Sequence, residues 1–306
     1  MRILVLGAGG IGGYFGGRLA AAGVDVTFQV RPRRAEQIAR DGLVIKSPLG
    51  DLQLPVKTVL RETAAPGYDA ILLSCKAFDL DDAIESLRPA APGALIVPLL
   101  NGMRHLDTLD AAFGAGNVAG GVAQIGVTLD ADGTVRHLNR GQGFVFGERD
   151  AAQASRCAAL AAVLAKGGFE PRHSHEILQD MWEKFVFLCS IAGMCCLMRS
   201  NIGAIARTAD GISLMQEMLE DCAAVATAAG YAPRARFMEF STKSVSDPTS
   251  TGAASMLRDV QRGGKVEADH VVGDMLARAK AMGRNATLLR AAYAHLQAYQ
   301  AARAPD

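Results

Sequence analysis

The residues of this chain best placed to do chemistry fall in a few short stretches. Gly7, Gly9 and Gly12 stand at GxGxxG spacing in Gly7-Ala8-Gly9-Gly10-Ile11-Gly12. Such a turn leaves free N–H groups at the positive end of a helix dipole, where a pyrophosphate binds. A side chain at Gly7 or Gly9 would obstruct the turn or hold the backbone off the phosphates, and Gly12 lets helix and strand approach closely. Lys184 is the last charge before an uncharged run to Met198 and shares a helix face with Met181, Leu188 and Ile191. A lysine there either snorkels to the surface over its buried stem or points into a pocket as a proton donor. Glu267 follows Gly263-Gly264-Lys265-Val266, where a first-turn acid suits the helix dipole. Ser255 sits among small apolar residues, and taken alone each of these three is ambiguous.

The elements needed to position these groups are legible around them. Ile3 to Leu6 is an apolar run suited to a strand buried on both faces, followed by a helix to Ala22 and a second strand over Val24 to Val30. Strand, glycine turn, helix, strand is the order a dinucleotide site requires. A site for NAD carries an acid at the end of the second strand; here Asp25 stands too early, and Arg31, Arg33 and Arg34 occupy the end. Guanidinium groups suit a 2′-phosphate, so the pattern predicts NADP(H), with Arg31 its main contact.

Further along, Leu43 to Val56 reads as a hairpin, and Tyr68 to Ser74 and Ala94 to Leu99 as buried strands. Lys76 and Asn101 each stand just past one of them, where open α/β sheets bind ligands. Asp79 is placed to cap a helix to Leu87. Val118 to Gly147 reads as antiparallel strands finishing the sheet, with turns at Asp130-Ala131-Asp132-Gly133 and Asn139-Arg140-Gly141. A helix over Ala151 to Lys166 and a strand near Phe169 follow. Beyond His173 the pattern is helical: Glu176 to Met198, Gly211 to Ala229, Thr249 to Arg262, Glu267 to Met282 and Ala286 to Ala302. The expected fold is α/β, a Rossmann-type dinucleotide-binding domain over residues 1–172 followed by an all-helical domain over residues 173–306.

Composition narrows the function. Lys plus Arg 32 against Asp plus Glu 31 leaves a net charge of +1, and no basic-aromatic interleaving marks a nucleic-acid surface. The six cysteines form no CxxC pair and read as small buried thiols of a reducing compartment. Phe185 to Met198 is too short to span a bilayer, so a cytoplasmic protein without a membrane partner is expected. His173 and His175 invite a metal reading but lack a third ligand at a recognisable spacing, so they read as linker residues. No metal site is expected. His270 reads as a surface histidine and Trp182 as helix packing.

Taken together, the glycine turn, Cys75-Lys76-Ala77-Phe78, Asn101-Gly102-Met103, Met181-Trp182-Glu183-Lys184-Phe185 and Ser255-Met256-Leu257-Arg258-Asp259 with Glu267-Ala268-Asp269 resemble the ketopantoate reductase (2-dehydropantoate 2-reductase) family. The likeness runs over essentially the whole chain. It implies reduction of a 2-oxo acid by NADPH, ketopantoate to pantoate on the route to pantothenate, with Lys184 as catalytic lysine and Glu267 as partner of a substrate hydroxyl. It further implies that Ser255 binds the substrate carboxylate and that Lys76 and Asn101 line nicotinamide and substrate. One position departs: where the family commonly has asparagine one turn after the lysine, this chain has Leu188, which points to a more apolar substrate. A dehydrogenase for a bulkier acid and a non-catalytic NADP(H)-binding protein are the alternatives. The apolar helical half suggests a homodimer.

Overall fold

The computed structural model describes residues 1–303. By contacts the chain divides into one unit of Met1–Leu100 with His105–Asp180, and a second of Asn101–Arg104 with the chain from Met181 onward.

The first unit begins with β1 (Arg2–Leu6), α1 (Gly10–Ala21), β2 (Asp25–Gln29) and α2 (Pro32–Asp41). The expected hairpin follows as β3 (Leu43–Lys46) and β4 (Leu52–Leu54), paired antiparallel through Leu43 and Leu54. Next come β5 (Lys57–Val59), β6 (Ala70–Leu73), α3 (Leu80–Leu87), β7 (Leu95–Pro98) and α4 (His105–Phe113). The unit ends with β8 (Gly120–Leu129), β9 (Val135–Gly147), α5 (Ala154–Leu164) and β10 (Glu170–His173). Five strands make an all-parallel sheet in the order β5-β2-β1-β6-β7, with Ile3 opposite both Val26 and Ala70. The order reverses at β1, so the switch point of the sheet lies at the glycine turn. Strand β5 was not expected. Three half-exposed residues at a sheet edge carry no continuous apolar run.

Two expectations for Val118 to Gly147 are corrected. These strands do not finish the first sheet; they build a second one, β10-β9-β3-β4, with β8 antiparallel to β9. Nor does the chain reverse at Asn139-Arg140-Gly141: β9 runs through them, although they lie in the register shift between Ile125–Gln142 and Val127–His137, where Leu138 to Gly141 take no partner in the β8 register. Local turn chemistry there produces a bulge within a long ladder and not a reversal of the chain.

Helix α1 is wedged between the sheets, and its glycines explain how. A Cβ at Gly16 would stand 2.7 Å from the Phe28 ring and 2.9 Å from Val5, on the first sheet. One at Gly17 would stand 2.6 Å from Ile45 and 2.9 Å from Leu43, on the second. The core of this unit, Ile3, Val5, Phe15, Phe28, Ile45, Phe144 and Phe146 among others, closes on both faces of that helix.

The second unit is helical. Its long first helix, α6 (Ile177–Met198), begins one turn before the unit boundary; α7 (Ile202–Ala206), α8 (Gly211–Ala228), α9 (Ala235–Val245) and α10 (Ser255–Gln261) follow. A π turn over Asp269–Gly273 leads into α11 (Asp274–Ala281), and α12 (Thr287–Ala302) ends the described chain. Thr249 to Ala254, expected in a helix, is irregular. Helix α6 as a whole, with its charges, is long and apolar enough to cross a membrane by length and composition, unlike its uncharged segment taken alone. Yet 67% of its most apolar window is buried inside the protein, as for a core helix. All six cysteines are free; five are buried and Cys75 is half-buried.

Overpacking tests the wedge. Gly16→Ala should cost about 1–3 kcal/mol despite the better helix propensity of alanine, because the Phe28 ring and Val5 have no room to withdraw. A lowered urea midpoint at unchanged slope would register it.

Candidate active site

In the first unit the fingerprint loop is tied to its sheet by the Gly7 N–H donating to the Gln29 carbonyl at 2.9 Å. Helix α1 has Gly9 at its N-cap, no side-chain cap and no acid in its first turn, so no acid of its own first turn neutralises the N–H groups there. Two glycines of the loop differ in what they require. A Cβ at Gly12 would clash with the Gly7 carbonyl and the Ser74 hydroxyl, so packing accounts for it. A Cβ at Gly9 would meet nothing within 4 Å. No packing in this chain demands glycine at that position, which fits a loop shaped for a phosphate arriving from outside.

At the end of β2, Arg31 is the N-cap residue of α2, its guanidinium exposed and only 3.4 Å and 3.6 Å from Asp79 and Asp82. The Asp79 carboxylate therefore turns to Arg31 and makes no capping bond to α3, although the residue stands at the expected place. Asp25 is at the start of β2, bonded to Lys57. The arginine whose place the sequence did not single out is Arg34. Its guanidinium donates to the Ala8 carbonyl at 2.9 Å and to the Gly133 carbonyl at 2.9 Å, lashing the glycine turn to the β8–β9 turn. Lys76 is half-buried three residues past β6, immediately before a 3₁₀ turn over Ala77–Asp79.

The second unit gathers Asn101, Lys184 and Glu267, which lie far apart in sequence. Lys184 is half-buried on α6. Burial pushes its ammonium down to about 8, with the nearby charge of Glu267 pulling the other way. Desolvation outweighs attraction, so the amine titrates close to neutrality. Glu267 is buried and immediately precedes the helical segment rather than beginning it; its carbonyl receives the Val271 N–H at 3.0 Å, an ordinary α-type bond just ahead of the π turn. The Asn101 amide reaches the Glu267 carboxylate by a long contact of 3.5 Å.

His270 is buried, not on the surface as expected. Its imidazole is held below its usual range by burial and is hydrogen-bonded by the Asn101 backbone. Gly102, in the left-handed region at φ +79°, leaves room for this ring, since a Cβ there would stand 3.2 Å from His270 Cδ2. The i, i+3 spacing of Glu267 and His270 was the available signal for this clamp. Ser255 is half-buried as the first residue of α10. Leu188 is half-buried one turn after Lys184.

What sets the rotation of α6 is the residue beside the lysine. Glu183 is buried and takes Arg234 bidentately at 2.8 Å and 2.7 Å, with the Arg234 backbone N–H as a third donor at 2.9 Å. Trp182 packs as expected, stacked on Tyr231 at 6.0 Å with Arg278 over its ring.

A parallel sheet whose switch point carries an anion-binding glycine turn, joined to a helical unit holding a lysine and a carboxylate, defines a nucleotide-dependent oxidoreductase of two parts. The chain belongs to the ketopantoate reductase family: residues 3–151 match Ketopantoate reductase PanE/ApbA and residues 176–300 match its C-terminal domain. It is 34% identical to an uncharacterized oxidoreductase, YkpB, of Bacillus subtilis over 98% of this chain and 99% of that one. It is 27% identical to the 2-dehydropantoate 2-reductase of Pyrococcus abyssi, over 94% of each. A PanE/ApbA family ketopantoate reductase from Ralstonia eutropha superposes with a TM-score of 0.89 at 26% identity, covering 99% of both chains.

The clamp on α6 has a measurable worth. Arg234→Met leaves Glu183 buried without its partner and should cost about 2 kcal/mol, less than for a fully buried pair because the guanidinium is half exposed. Chemical denaturation at neutral pH reads the loss. At the glycine turn, Gly9→Ala should leave the unfolding midpoint unchanged while weakening dinucleotide binding at least about tenfold.

Proposed function

We propose that this protein reduces a 2-oxo acid at the expense of NADPH, with Lys184 as the general acid. The observation that carries this reading is the desolvated Lys184 amine with Glu267 beside it. A reduced nicotinamide bound at the glycine turn supplies the hydride. The ammonium of Lys184 hydrogen-bonds the ketone oxygen, stabilises the negative charge that grows there and hands over its proton. Glu267 holds the lysine charged and accepts from a substrate hydroxyl, Asn101 orients that carboxylate, and Ser255 donates to the acid group of the substrate. Lys76 and Asn101 line the nicotinamide. Arg31, with no acid beside it on β2 and only long, exposed ion pairs of its own, receives the 2′-phosphate.

The family points to ketopantoate, and with it to pantothenate biosynthesis. A second reading, a more apolar or bulkier 2-oxo acid, is favoured by one observation: Phe187, Leu188 and Ile191 stand half-exposed next to Lys184 on α6, with no amide among them. A cytoplasmic setting agrees with six free thiols. A homodimer agrees with Met198, Ile212 and Phe240 standing exposed on the helical unit, and light scattering that returned a monomer would refute it.

Turnover of NADPH with a panel of 2-oxo acids, followed by the nicotinamide absorbance, distinguishes these substrates; binding without turnover of any of them would leave only a cofactor-binding protein. Lys184→Met should lower kcat by about 10²–10⁴-fold with the Kd for NADPH unchanged. Because the donor is the protonated amine, kcat for reduction should fall as pH rises through about 8. In Glu267→Gln the raising influence of the carboxylate is gone, so the falling limb should move to lower pH. Arg31→Ala should weaken NADPH far more than NADH; equal losses would remove the phosphate role.

A further inference from the structure

The two histidines left without a purpose by the sequence acquire a third group in the fold. Strands β9 and β10 run parallel with Phe146 opposite His173. Glu148 follows Phe146 by two residues, and His175 follows His173 by two, so all three side chains emerge together at the ends of adjacent strands. Both imidazoles meet the one carboxylate: His173 Nε2 lies 2.5 Å from Oε2 and His175 Nδ1 lies 2.7 Å from Oε1. One donor atom from each of the three residues falls within 4.8 Å of the other two.

The cluster is built on rigid elements. The His173 ring stacks on Phe146 at 5.4 Å and 14°, which fixes its plane. Glu148 and His173 are 15% and 19% exposed, while His175 at 79% forms the open side. Burial works against the Glu148 charge, but the hydrogen bonds from His175 and His173 more than offset it and keep the carboxyl ionised down to about 2.

We propose that Glu148, His173 and His175 form a binding site for a divalent transition ion of the zinc type, with water completing its coordination. Two imidazoles and one carboxylate with an open position form a nitrogen-rich set that zinc takes and magnesium or calcium does not. On binding, each imidazole moves its proton to its other ring nitrogen, and the ion takes the place of the two N–H groups as partner of the carboxylate. The exposed His175 side chain swings outward to open the cluster to metal–ligand distances of about 2.0–2.2 Å. The site lies just ahead of α6 in sequence, where an ion would staple β9 to β10.

Calorimetric titration of the purified chain with zinc chloride tests this, with cobalt(II) absorption as the readout of geometry. One ion per chain at micromolar affinity is expected, with no heat from magnesium. Glu148→Gln keeps the shape of the side chain and His175→Ala touches only an exposed one, so neither threatens the fold. Each should weaken zinc binding at least about tenfold. Absence of stoichiometric uptake at micromolar zinc would overturn the proposal, and so would uptake that both variants leave unchanged, since the ion would then sit elsewhere.

Discussion

A charge inside an apolar helix is what the helical unit is built to tolerate. Met181, Trp182, Phe185, Val186 and Cys189 are buried around Lys184, and taking an ammonium out of water costs several kcal/mol unless another charge answers it. Glu267 answers it, and is itself buried. The surrounding structure keeps both in place. The Glu183–Arg234 pair fixes how α6 is turned. On the other side a π turn, an uncommon widening of the helix that is seen often at functional sites, begins two residues after Glu267. His270, within that turn, packs on Gly102 and is hydrogen-bonded by the Asn101 backbone, so the widened turn supports the asparagine while the carboxylate stands just ahead of it.

In the first unit the controlling constraint is steric. A helix squeezed between two sheets must be thin on both faces, and Gly16 and Gly17 supply this for Phe28 and Ile45 respectively. Glycine density in α1 therefore has two causes that composition cannot separate. At Gly12, Gly16 and Gly17 protein atoms fill the missing Cβ space; at Gly9 none do. At Gly9 the space a Cβ would take is open, so packing does not account for that glycine.

Much of this was legible in the sequence, for reasons that also say where legibility stops. Strands β1, β6 and β7 are buried on both faces, so each reads as an unbroken apolar run between turn residues. Half-exposed β5 at the sheet edge has no such signature, and α9 buries only Ser241 and Val245, so it carries no sustained apolar stretch. The second sheet was misassigned because strand signals carry no record of which sheet they join: β9 pairs with β3, far back in the chain, through only Ile45 and Lys46. Site residues divide the same way. The glycine turn is local and readable. The meaning of Lys184 depends on a carboxylate much further along the chain, so periodicity alone favoured a snorkelling lysine over a functional one. Glu148 gave no signal at all, because the parallel pairing of β9 with β10 is what brings it to His173 and His175.

On the proposed chemistry, the balance at Lys184 is also what makes it useful. An ordinary exposed lysine is a weak acid at neutral pH, fully protonated but reluctant to give its proton up. Burial alone would favour the neutral amine, leaving nothing to donate. Desolvation opposed by one carboxylate lands between these extremes, near 8, where most of the amine is charged and the proton leaves more readily. The same balance limits what can be changed nearby. A polar side chain at Leu188 would admit water or a hydrogen bond, lessen the desolvation and raise the amine toward its usual value. If that chemistry holds, substrate preference and acid strength would be set by overlapping parts of one helix face, and an apolar residue at 188 would serve the second even while it narrowed the first.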